Sequence, residues 1–208
     1  MADRRELRQF LLLVFPLLIP CFALWYLLAA LLAVPAIGLA SVTLTGWFPE
    51  VVSALYVQGP EGILATTFGD LDGRPVPAGQ SDYQLGFTVD TRLLSYSFPF
   101  YTALHFATQK KDYLGSYLVG ALVLYVLMTV SLVCLCMKDL MYTLGPAFVE
   151  QPGVLVPHPN LIALLYQLCV LLLPTLAPVL LWAWQSRDTA LVREILDGST
   201  PAEQPGAN

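Results

Sequence analysis

The sequence predicts a membrane all-α bundle of four transmembrane helices with a small β-rich extracytoplasmic insertion, a three-stranded antiparallel sheet, between helices 1 and 2. Three observations carry that expectation. Hydrophobic residues make up 57% of the chain and charged residues 12%, far from the balance of a soluble domain. Charges are absent from four tracts: between Arg8 and Glu50, between Arg92 and Lys110, between Asp112 and Lys138, and between Glu150 and Arg187. About 20 apolar residues at 1.5 Å each cross a hydrocarbon core of about 30 Å, so three tracts hold a span with room to spare and the second just suffices. Finally, the one long polar stretch between these tracts, 47–92, shifts in places to two-residue periodicity.

Residues 1–9 form a short basic lead, read as a cytoplasmic N-terminus, into an apolar run that starts at Phe10. Gly38-Leu39-Ala40 resembles a signal-cleavage site, but a cleavable apolar region runs about 7 to 15 residues and this one is far longer. It is read as a retained anchor. The first helix with its interfacial extension takes 10–46, and 10–31 cross the hydrocarbon. Pro16 and Pro20 are expected to kink it. Pro35 is expected to break or bend the chain into a separate interfacial helix carrying Val34, Ile37, Leu39, Val42 and Leu44.

Within the insertion, 53–58 and 63–68 read as strands joined by Gly59-Pro60-Glu61-Gly62. Tyr83, Leu85, Phe87 and Val89 alternate with polar or small residues and form the candidate core of the outer module. The connection 69–82, with its glycines and prolines, is expected to be an exposed loop. A sheet this small cannot cover its own apolar face. Val42, Leu44, Trp47 and Phe48 are the expected cover.

The second span occupies 93–109, interrupted at Pro99, and turns tightly over Gln109-Lys110-Lys111-Asp112 into the third at 113–137. Lys138 and Asp139 cap that span, 138–160 forms an extracytoplasmic loop, and Asn160 is the expected N-cap of the fourth span at 161–184. Residues 185–208 form a cytoplasmic tail, with two helical turns at 190–196 and a disordered end.

With both termini in the cytoplasm, the inner segments hold Arg4, Arg5, Arg8, Lys110, Lys111, Arg187 and Arg193, against Arg74, Arg92 and Lys138 outside. This is the positive-inside arrangement. The net charge of −5 then falls on the outer segments, which argues against a nucleic-acid partner and leaves the bilayer as the first one.

Cys21, Cys134, Cys136 and Cys169 lie in or beside apolar runs, where thiols behave as small hydrophobes. Cys134 and Cys136 point about 200° apart on a helix and cannot chelate one ion together. Asp70-Leu71-Asp72-Gly73 opens like a calcium loop but lacks the later ligands, and reads as a turn. His105 is an intramembrane ionisable group near the inner end, expected to snorkel or to bond a neighbouring helix. A Cys21, His105 and Arg92 triad is disfavoured because Cys21 lies midway through its span and Arg92 at the outer edge. His158 has no base-orienting partner in its loop. Tyr166 and Gln167 are polar groups of the fourth span, expected to hydrogen-bond between helices. With Trp25, Tyr26, His105, Pro174 and Pro178 they make up the candidate helix-packing or interface residues. No catalytic, cofactor-binding or metal-binding set is assigned.

The chain resembles the exosortase H-associated membrane proteins. The similarity rests on Cys21-Phe22-Ala23-Leu24-Trp25-Tyr26-Leu27-Leu28, Tyr96-Ser97-Phe98-Pro99, Leu144-Gly145-Pro146-Ala147, Tyr166-Gln167-Leu168 and Pro174-Thr175-Leu176-Ala177-Pro178. It implies a bacterial inner-membrane accessory of an exosortase, a membrane cysteine transpeptidase-like enzyme that processes C-terminal sorting signals on exported proteins. The partners implied are the exosortase and its sorted substrate. The family supplies no catalytic residues to carry over. The resulting expectation is a non-enzymatic accessory. The alternatives are a membrane enzyme with a site between helices and an envelope sensor with an outer ligand-binding module.

Overall fold

The computed structural model describes residues 3–59, 61–71, 74–81, 83–108 and 113–189. Among these residues, three helices are long and apolar enough to cross a membrane: Leu7–Trp47, Leu114–Leu144 and Pro159–Ser186. They correspond to the first, third and fourth expected spans, and a small antiparallel sheet stands between the first helix and the later ones. The basic turn at 109–112 and the tail beyond 189 lie outside the described residues.

Helix α1, Asp3–Trp47, runs unbroken through Pro16, Pro20 and Pro35. The expected separate interfacial helix after Pro35 is therefore a continuation of the first. A proline removes one backbone bond, a cost that packing along the rest of the helix offsets. Here Ala33, Ala36, Ala40 and Leu44 recur at helical spacing and are fully buried. They form a narrow, small-residue stripe on which the sheet and a later helix close.

The sheet is built from β1 (Val52–Gln58), β2 (Glu61–Leu71), β3 (Arg74–Pro77) and β4 (Gln84–Val89). Strand β2 is its spine. β1 and β4 both pair with Leu64, so they take opposite edges of β2, and Gly69 pairs with Val76 of β3 and with Gln84 of β4. β1 and β3 thus lie end to end on one edge, with β4 alone on the other. Three strands were expected, and four are present among the described residues. Part of the expected 69–82 loop is the β2–β3 hairpin with a 3-10 turn at Ala78–Gln80. Pro75 and Pro77 made this segment look like loop, but an edge strand tolerates proline because one side of its backbone goes unpaired. Ser81 pins the turn by donating its hydroxyl to the carbonyls of Asp70 (2.8 Å) and Tyr83 (3.0 Å). Gly69 is required beneath it, since a Cβ there would overlap Ser81 and the Tyr83 carbonyl.

The apolar face of the sheet is covered by α1. Leu44 and Phe48 are fully buried with Val51, Val52, Leu55, Leu64 and Val89, and Trp47 packs at their margin. Val42 takes no part in this cover: it is 74% exposed, because it sits about 200° around the helix from Ala40 and Leu44. Burial along the last strand grades from tip to base. Tyr83 lies outside β4 and is 79% exposed, Leu85 and Phe87 are half-buried, and Val89 is fully buried.

The expected short second span, 93–109 with an interruption at Pro99, is two short helices, α2 (Arg92–Ser95) and α3 (Ser97–Ala107), that divide at Tyr96. The 11 residues of α3 rise about 16 Å, roughly half a hydrocarbon core. Pro99 sits at the third position of α3, where a missing N–H loses no helix bond, so the helix restarts around it. Helix α4, Tyr113–Leu144, continues past Met137. No breaker intervenes before Gly145, whose φ of 51° ends the helix and leads into α5, Pro146–Val149. The fourth span is a rod of α6 (Pro159–Tyr166), a π-helical stretch (Gln167–Leu172) and α7 (Leu173–Ser186). The wider turn directly precedes Pro174, where the ordinary α-helical bond is lost. His158 caps α6, its Nδ1 accepting from the Asn160 N–H at 3.2 Å, so the cap stands two residues ahead of the expected Asn160.

Candidate functional site

Where β4 gives way to α2, the chain turns from the sheet into the bundle. Asp90 Oδ1 accepts from the Arg92 N–H at 2.9 Å and fixes that turn. The Arg92 guanidinium then lies over the Tyr26 ring of α1, 4.9 Å from its centroid. One residue away on α1, Trp25 donates its indole N–H to Ser95 Oγ at 3.0 Å and meets Phe22 edge-on. Next, Tyr96 and Thr175 of α7 share a hydroxyl–hydroxyl bond of 2.5 Å beside the buried Pro174, and Pro178 is buried one turn further on. The strings around Trp25, Tyr96 and Thr175, distant in sequence, thus converge on one junction between the sheet and the bundle.

At the opposite, basal end the bundle is closed by aromatic rings and hydrogen bonds. Trp182 stacks on Phe10 at 5.1 Å and donates to Thr108 Oγ1 at 2.7 Å. Tyr101 donates to Gln185 Oε1 at 2.6 Å and stacks on Tyr117 at 5.6 Å. Gly120 gives the Tyr101 ring its space, since a Cβ there would overlap it. His105 is 3% exposed among Tyr101, Phe106 and Tyr117, so it does not snorkel to the edge. It is a buried member of this cluster.

A third feature is a cleft of about 690 Å³ at the sheet end, walled by Val51, Thr67, Phe68 and Pro77 on one side and by Pro146, Ala147, Gln151 and Pro152 on the other. Glu50 and Glu150 both line it. The walls are fixed: Thr67 donates its hydroxyl to the Glu50 carbonyl, and Gln151 donates its amide to the Phe148 carbonyl at 2.7 Å. Gln151 Oε1 is buried and has no partner among the described residues. The Leu144-Gly145-Pro146-Ala147 string therefore supplies part of this wall. Nearby, Lys138 pairs with Asp139 and lies over the Tyr166 ring at 5.1 Å. Gln167 is exposed on the π-helical stretch and is not brought to a partner helix.

Other sequence candidates stay apart. Arg92 and His105 are separated by the length of α2 and α3, and so do not combine with Cys21. Among the described residues no group of three or more His, Cys, Asp or Glu side chains is placed to hold a metal ion. Asp70 sits within β2, not in a turn, and Asp72 and Gly73 lie outside the described residues. Cys134 and Cys169 meet between α4 and the π-helical stretch as free thiols, beside a 2.6 Å bond from Ser131 Oγ to the Cys169 carbonyl. The Arg92–Tyr26 contact and the Glu50–Glu150 cleft escaped sequence reading because their members lie far apart in the chain.

No curated protein and no solved structure matches the chain. The family described as exosortase H-associated membrane protein matches residues 4–189. With nearly the whole chain matched, from α1 to the end of the last helical rod, the protein belongs to the exosortase H-associated membrane protein family.

Proposed function

We propose that this chain is a non-enzymatic accessory in the bacterial inner membrane that presents its sheet-end cleft to an exosortase or to the exported substrate that enzyme processes. In this reading both termini face the cytoplasm, the sheet stands outside, and α2–α3 forms a short fourth membrane element beside the three long helices. The observation that carries the reading is the cleft itself. Its two walls come from the sheet and from the segment after α4, and both rest on the core shared with α1, so the surface is held rigid while lying clear of the bundle interior. Such a surface suits a docking role, because a pre-formed site avoids the ordering cost of binding. The carboxylates of Glu50 and Glu150 favour a partner segment that carries Lys or Arg.

Co-purification with the exosortase tests this. The double variant Glu50→Lys with Glu150→Lys is expected to keep normal abundance and to recover about tenfold less exosortase, equivalent to about 1.4 kcal/mol. Unchanged recovery at unchanged abundance would remove the cleft from the interface. Topology is tested by introducing cysteine at Gln80 and, separately, at Gln109. Labelling from opposite sides of the membrane is expected, and labelling from the same side contradicts the orientation.

A further inference from the structure

Arg92 is placed at an unusual spot for a cation. Trp182 and Phe10 stack at the basal end, and Tyr26 lies sixteen residues along α1 from Phe10, a rise of about 24 Å. Thr108, which accepts from Trp182, ends α3 at the basal end, and Arg92 opens α2 at the other end of this helical pair. In a hydrocarbon core of about 30 Å, the rise along α1 brings Tyr26, and Arg92 upon it, close to the boundary on the sheet side, within reach of the headgroups. Its Nε is buried without an acceptor, and no carboxylate forms an ion pair with it among the described residues. Asp90, the nearest acid in sequence, is used on the Arg92 backbone.

The surroundings specify what neutralises it. Tyr26, under the guanidinium, is 60% exposed, and Leu24, Leu27 and Leu31 on the same helix are exposed with it. A fixed cation on an exposed aromatic ring at membrane depth, with the exposed Leu93 next to it in the chain, matches a ligand with an anionic head and apolar tails. We infer that Arg92 and Tyr26 form a site for the phosphate of an anionic phospholipid in the leaflet on the sheet side. Trp25, bonded to Ser95, holds α1 against α2 so that ring and guanidinium stay in register. The site is independent of the proposed contact with an exosortase, since it faces the bilayer and shares no residue with the cleft.

Native mass spectrometry of the purified full chain with added phosphatidylglycerol tests the site, with phosphatidylethanolamine in a parallel arm. The wild-type chain is expected to retain a phosphatidylglycerol that Arg92→Gln holds about tenfold more weakly, with Arg92→Lys in between. Phosphatidylethanolamine is expected to be retained less well and to show little dependence on Arg92. Tyr26→Leu, a change at an exposed position, leaves the fold intact and is expected to weaken retention as well, so the site stays testable even if Arg92→Gln fails to fold. Inorganic phosphate in excess is expected not to displace the lipid. Equal phosphatidylglycerol retention by wild type and by a folded Arg92→Gln or Tyr26→Leu variant overturns the inference. Displacement by inorganic phosphate overturns it in favour of a soluble anion.

Discussion

The two ends of this molecule are held together by different physics. At the sheet end, Leu44, Phe48, Leu64, Leu140, Leu144 and Phe148 are buried side by side, with Phe48 stacked on Trp47 at 5.0 Å and tilted against Phe148 at 5.1 Å. At the basal end a second, smaller cluster of Phe10, Val14, Leu104, Ala107 and Trp182 lies beside the fully buried Tyr101, and specific polar bonds cross between the helices. The proposed placement of the sheet outside the bilayer accounts for the difference. A sheet facing water gains from every apolar atom it removes from solvent, whereas helices in hydrocarbon gain nothing from hiding leucine and rely on close packing and hydrogen bonds. The sheet end is therefore a soluble-type core standing on a membrane-type base, and α1 belongs to both.

Substitutions sharpen that contrast. Phe48→Ala should cost the most, roughly 3–5 kcal/mol in reversible unfolding of the purified chain, because it opens a cavity at the centre of the sheet-end core. Gly120→Ala at the basal end should cost about 1–3 kcal/mol by forcing Tyr101 from its place, with loss of its bond to Gln185. Trp182→Phe keeps the stack on Phe10 but deletes the bond to Thr108, and the expected loss is about 0.6 kcal/mol. Val42→Ser, on the uncovered side of α1, should stay within about 0.5 kcal/mol of wild type. A Trp182→Phe cost as large as that of Phe48→Ala would show that the two ends do not differ in kind.

Much of the architecture was legible because charge-free tracts are long and unambiguous, and the tracts after Arg8, after Asp112 and after Glu150 each became a long helix. The alternation of Leu85, Phe87 and Val89 likewise announced β4, which begins one residue after Tyr83. What escaped was decided by contacts distant in sequence. Pro35 reads as a break, and only the burial of Ala33, Ala36 and Ala40 beneath later elements shows why the helix persists. Pro75 and Pro77 read as loop until β2 supplies the edge on which such a strand is tolerated. The cleft joins Glu50 to Glu150 across a hundred residues, and nothing local to either hints at the other.

The central claim is that the sheet has no core of its own and shares one with the continuation of α1 beyond Pro35. Hydrogen exchange of the full chain in lipid nanodiscs measures this directly, because buried, packed backbone opens only with its cooperative unit. Amides of 36–47 should exchange as slowly as those of β1 and β2, and Phe48→Ala should accelerate both groups together. Rapid exchange across 36–47 alongside persistent protection of β1 and β2 would contradict the shared core and leave the sheet standing on its own.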